Sequence, residues 1–175
     1  VSGKVEAKAV HEFKASAERV FDAWLDPVKV RSWAAQPVPG MPSFEIRRIE
    51  IDARVGGKFT FSDMREEGEA VHWGYYLEID RPRKLVFTWF TSEEEEQENN
   101  SVVTLTIEPL ANGCRATIVH SMDERWAEYV KPTETAWAFM LRQIEMDFAA
   151  EASQPDARWT GKRPISADGL GRLSD

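Results

Sequence analysis

Apolar and polar residues alternate with a period of two over much of this chain, then switch to a helical period near its end. Between Pro132 and Ser153, Trp137, Met140, Leu141, Ile144 and Phe148 recur at three- and four-residue spacing and share one face. No glycine interrupts the stretch, Glu134 sits in its first turn, and Pro155 lies just beyond it. It reads as one helix of roughly 30 Å. A stripe that wide must be buried, and strand-like segments make up most of the remaining chain.

Lys4 to Phe13 alternates, with Val5, Ala7, Ala9, His11 and Phe13 on one face. Ser16 is placed to cap a short helix that carries Val20, Phe21, Trp24 and Leu25. Asp26-Pro27 starts a second, running to about Trp33, and the prolines and glycine of Gln36 to Ser43 make a loop. Six strands follow in meander. Phe44 to Asp52 changes parity between Ile46 and Ile49, the signature of a bulge. Lys58 to Met64 puts Phe59 and Phe61 on one face, which Asp63 continues either as a buried acid or, the favoured reading, as a rim acid near the turn.

Ala70 to Ile79 reads as Val71, Trp73, Tyr75, Leu77 and Ile79 inward, leaving His72 outside. Lys84 to Phe90 carries Leu85, Phe87 and Trp89 on one face. Ser101 to Glu108 and Cys114 to Ser121 flank Asn112-Gly113, a strong hairpin signal, and His120 falls on the apolar face of the returning strand. Ser92 to Asn100, with its run of four glutamates, reads as a solvated hairpin loop without a further role. One long helix and an antiparallel meander define an α+β fold in which the sheet curls round the helix.

Charge then narrows the function. The chain of 175 residues carries 22 Lys plus Arg against 30 Asp plus Glu, a formal charge of −8. That balance opposes nucleic-acid binding and docking on anionic membranes. Cys114 is the single cysteine, so no intrachain disulfide can form, and three scattered histidines give no metal-ligand spacing. No apolar run approaches membrane-spanning length, and VSGKVEAKAV lacks a signal-peptide centre, so a cytoplasmic protein is expected. Neither metal nor cofactor is expected. Seven Trp and nine Phe beside three Tyr point to an interior of large, irregular side chains.

Several stretches together carry a resemblance. They are Arg19-Val20-Phe21-Asp22-Ala23-Trp24 with Asp26-Pro27 and Trp33, then Arg54-Val55-Gly56-Gly57-Lys58-Phe59. Gly74 follows, with Glu78 through Trp89, then the Thr104-Leu105-Thr106 strand, Asn112-Gly113 and the strand ending at His120. Trp137, Leu141 and Ile144 complete the set. In this order, over about Val5 to Ala152, the chain resembles proteins similar to the activator of heat-shock protein 90 ATPase. These lie within the START-like (SRPBCC, Bet v 1-like) superfamily. The resemblance implies a helix-grip fold, a curved antiparallel sheet round the C-terminal helix with an apolar cavity between them. Two departures stand out. Ala136 occupies the position where a glycine often precedes the helix tryptophan, and the tail from Gln154 to Asp175 extends beyond the family's usual end.

The expectation is one ligand-binding domain over 1–153 and a surface-packed tail over 154–175. The cavity is expected to hold a small hydrophobic or amphipathic molecule, in a stress-related role. Phe61, Trp73, Trp89, Trp137, Met140 and Leu141 are its expected walls, His11 and His120 its polar anchors, and Trp126 and Tyr129 its lid. A buried histidine is more often a hydrogen-bonded core residue than a catalyst. The rival readings are a cyclase- or hydrolase-like enzyme using those histidines, and a co-chaperone-like interaction module. Phe139 and Met146 fall opposite the Trp137–Ile144 stripe as an exposed apolar patch. Trp159 of the tail is expected to cover it, within the chain or across a homodimer.

Overall fold

The alternating segments pair into one antiparallel sheet of seven strands in the computed structural model, which describes residues 3–153. The strands are β1 (Lys4–Phe13), β2 (Glu45–Ile51), β3 (Lys58–Arg65), β4 (Gly68–Asp80), β5 (Lys84–Thr88), β6 (Val102–Leu110) and β7 (Gly113–Asp123). Their spatial order is β1-β7-β6-β5-β4-β3-β2, so the meander from β2 to β7 is closed by β1 on the far edge of β7. Between β1 and β2 lie helices α1 (Ala17–Asp22) and α2 (Pro27–Ala34). Ser16 Oγ accepts from Arg19 N at 3.2 Å, the cap that the sequence marks, and Asp26 Oδ1 accepts from Val28 N at 2.9 Å just ahead of Pro27.

A helix within the glutamate run is α3 (Glu93–Glu98), and the long helix is α4 (Val130–Ala152). The chain enters α4 through a 3-10 turn at Glu124–Tyr129, which starts the helix two residues before Pro132. Trp137, Leu141 and Ile144 are buried on α4, and Val103, Leu105 and Ile118 meet them from the sheet. Fully burying one such side chain contributes about 1.5–3 kcal/mol, so this face commits α4 to the concave side of the sheet.

The helix also has a second buried side, which the apolar pattern does not reveal. Gln143 Nε2 donates to the carbonyls of Ala34 (2.9 Å) and Gln36 (3.0 Å). Asp147 Oδ1 accepts from Ser32 Oγ (2.7 Å) and Gln36 Nε2 (2.8 Å). These bonds clip α2 and the loop after it onto α4. Phe139 and Met146 are half-buried rather than an exposed patch. The expected packing of Trp159 and the tail lies outside the described residues. Asp147→Ala is expected to lower stability by about 2 kcal/mol, because two donors lose a charged acceptor. Urea unfolding checks this, and an unchanged midpoint would show that apolar packing alone holds α2.

β4 corrects the sequence reading. Its pairing with β5 slips between Tyr76 and Glu78, a bulge at Leu77. Ile79 packs on the core, but stepping back from it by twos across the bulge inverts every residue before it. His72 and Tyr76 therefore share the concave face, while Trp73 and Tyr75 lie on the other. The bulge expected in β2 is present, between Ile46 and Arg48.

Candidate functional site

Because the sheet curls, α4 together with the core residues of α1 and α2 fills only part of its concave side, and space remains between sheet and helix. A cavity of about 600 Å³ lies there, within the size range of small-molecule sites. Its apolar wall includes Phe44, Phe61, Trp89, Trp137, Phe139 and Met140. The Trp89 and Trp137 rings meet edge-on with centroids 5.1 Å apart, and His72 stacks on Trp89 at 5.0 Å. Burial lowers the pKa of His72, which favours its neutral form. Aromatic packing of this kind holds the wall in one shape.

The polar groups sit at definite places on that wall. His120, from β7, is 5% exposed; its Nε2 lies 2.7 Å from Ser101 Oγ and its Nδ1 3.1 Å from Trp137 Nε1. Burial alone pushes its pKa down to about 4, so the ring is neutral near pH 7. Asp63 is buried, not on the rim, and accepts from Arg65 Nε at 2.6 Å. The Arg65 guanidinium lies 4.8 Å over the Phe44 ring, so this buried acid arrives already paired. Glu95 and Glu98 of α3 complete an acidic stretch of the border.

Of the residues expected from sequence, Phe61, Trp89, His120, Trp137, Met140, Trp126 and Tyr129 border this cavity together. Trp126 and Tyr129 come from the 3-10 turn, their rings 5.7 Å apart. Three others lie elsewhere. His11 is half-buried between β1 and α4, its Nε2 2.5 Å from Glu145 Oε1. Trp73 Nε1 donates to Glu96 Oε1 at 2.9 Å, on the face of β4 away from His72. Leu141 is fully buried in the core and does not border the cavity.

Glu96 Oε2 also accepts from Tyr75 OH at 2.7 Å, so the glutamate run anchors a helix instead of forming a bare loop. Phe44, Asp63, Arg65, His72, Ser101 and Phe139 belong to the border but were not expected there. Asp63 was within reach, because it continues the Phe59–Phe61 face. Among the described residues no group of three or more His, Cys, Asp or Glu is placed to hold a metal, and no helix is long and apolar enough to cross a membrane.

A curved antiparallel sheet gripping a long C-terminal helix, with two short helices after the first strand, is the helix-grip fold of START-like proteins. The chain belongs to the family described as Activator of Hsp90 ATPase homolog 1-like protein, whose sequence profile matches residues 14–149. Among solved structures, protein NE0264 from Nitrosomonas europaea is 17% identical with a TM-score of 0.69, over 85% of this chain and 97% of that one. A protein from Arthrobacter aurescens is 26% identical with a TM-score of 0.63, over 83% and 86%. SA2116 from Staphylococcus aureus, described as a protein of unknown function, is 17% identical with a TM-score of 0.67, over 87% and 98%. No curated protein matches the chain at a significant level.

Proposed function

We propose that this protein binds a small apolar or amphipathic molecule in the cavity between the sheet and α4. The observation that carries this reading is a cavity of about 600 Å³ with an aromatic wall and a few fixed polar groups. Binding works by burial. Removing roughly 300 Å² of apolar ligand surface from water is worth about 7 kcal/mol before the loss of ligand freedom is subtracted. The polar groups add orientation more than strength.

Native mass spectrometry of freshly purified protein is expected to show added mass from a retained cellular molecule. The matching variant is Ala136→Trp. Ala136 lines the cavity and is itself exposed, so an indole there fills space that no core side chain occupies. The variant is expected to keep its melting temperature and lose binding of the uncharged dye N-phenyl-1-naphthylamine. Equal dye affinity in the variant and the parent would overturn the reading.

A further inference from the structure

The bonds around His120 decide which of its nitrogens carries the proton. An indole N–H can only donate, and Trp137 Nε1 lies 3.1 Å from His120 Nδ1, so Nδ1 is the bare acceptor. The neutral ring must then be protonated at Nε2. That N–H donates to Ser101 Oγ at 2.7 Å. Two consequences follow for Ser101. It cannot pass its proton to a nitrogen that already holds one, so the pair is not set as nucleophile and base. Its own hydroxyl hydrogen is left over, and among the described residues no acceptor bonds to it.

Ser101 borders the cavity, and a hydroxyl that accepts from an imidazole N–H becomes a better donor in its turn. We propose that Ser101 is the donor anchor of the cavity and that the bound molecule carries a neutral hydrogen-bond acceptor, a carbonyl or ether oxygen, against it. The acceptor is neutral because Asp63, Glu95 and Glu98 share the border, while Arg65 is paired with Asp63 and Arg125 with Glu98. A carboxylate ligand would meet three acids and no unpaired cation among these residues. This inference rests on the reading that the cavity holds a small molecule.

The test uses 2-acetylnaphthalene and 2-isopropenylnaphthalene, which differ only in a C=O against a C=CH₂ of nearly the same shape. Calorimetric titration of the full chain with each probe gives the ratio of ketone to alkene affinity. Ser101→Ala is expected to lower that ratio about tenfold through the ketone alone, the worth of one buried hydrogen bond. Ser101→Cys keeps the size but donates weakly, and is expected to lower the ratio in the same direction. Ser101→Thr retains the hydroxyl and is expected to preserve it. If both probes bind and the ratio is unchanged in the alanine and cysteine variants, the anchor is wrong and the cavity reading stands. If neither probe binds the parent protein, the cavity reading fails and takes the anchor with it.

Discussion

Gly74→Ala is expected to destabilise the fold by about 3 kcal/mol, at the upper end of what overpacking costs. A Cβ on Gly74 would lie 1.9 Å from the Thr88 carbonyl oxygen and 2.8 Å from Phe59 Cζ. The first of those atoms is backbone and cannot swing aside. Relief requires β4 and β5 to part where Tyr75 N donates to Thr88 Oγ1 at 2.9 Å and Trp73 pairs with Phe90. Trp89 lies between Thr88 and Phe90 and forms cavity wall, so the variant should also weaken ligand binding. Urea unfolding followed by tryptophan emission reads the first effect, and dye titration the second. A loss below about 1 kcal/mol would mean that the strands yield easily and the close approach is not a constraint.

Gly74 shows what kind of information the sequence carries. It belongs to the motif that gives the family resemblance, yet its reason is a close contact between strands that no pattern displays. The elements with one buried face were legible. The Cys114–His120 face of β7, the Trp137–Ile144 stripe of α4, the cap at Ser16 and the helix start at Asp26-Pro27 all follow from local chemistry and a single period. Positions governed by two neighbours were not. His72 was lost because a bulge at Leu77 shifts the parity of β4, and Trp73 was misplaced by the same step. Phe139 was lost because the apolar stripe marks only the Trp137–Ile144 face of α4, whereas Phe139 borders the cavity from outside that stripe.

The glutamate run had a signal that its composition hid. Ser92 stands three residues before Glu95, and its Oγ accepts from Glu95 N at 3.2 Å. Glu95 Oε1 reaches back to Thr91 N at 2.7 Å, and Asn99 ends the helix with a φ of 51°. A serine with a glutamate three residues on, closed by an asparagine, is a helix signature even where every residue is polar. Ser101 had no such signal. Its importance depends on which nitrogen of His120 faces it, and that is fixed by Trp137, 36 residues further along the chain.

Acidification from pH 7 to 4 is expected to cost the fold on the order of 3 kcal/mol through His120 alone. The ring's pKa is pushed from 6.5 down to about 4 by burial, with no charged group contributing. The sign follows from which state takes up the proton first. In the unfolded chain the imidazole protonates near pH 6.5, whereas in the folded chain it resists until about pH 4. Stability is therefore complete above pH 6.5 and falls as the pH drops towards 4, below which His120 causes no further loss. The geometry gives the same answer. A proton on Nδ1 would face the Trp137 N–H, donor against donor, and the buried cation would have only Ser101 as a partner. His72 is shifted in the same direction and many carboxylates also titrate in this range, so the measurement must be a difference. Urea unfolding of the parent and of His120→Gln, in steps from pH 7 to 4, isolates the contribution. The parent is expected to be the more stable at pH 7, and its advantage over the variant to shrink by about 3 kcal/mol as the pH falls. Parallel curves would show that His120 is protonated as easily inside the protein as outside it, and that the neutral ring assigned here is wrong.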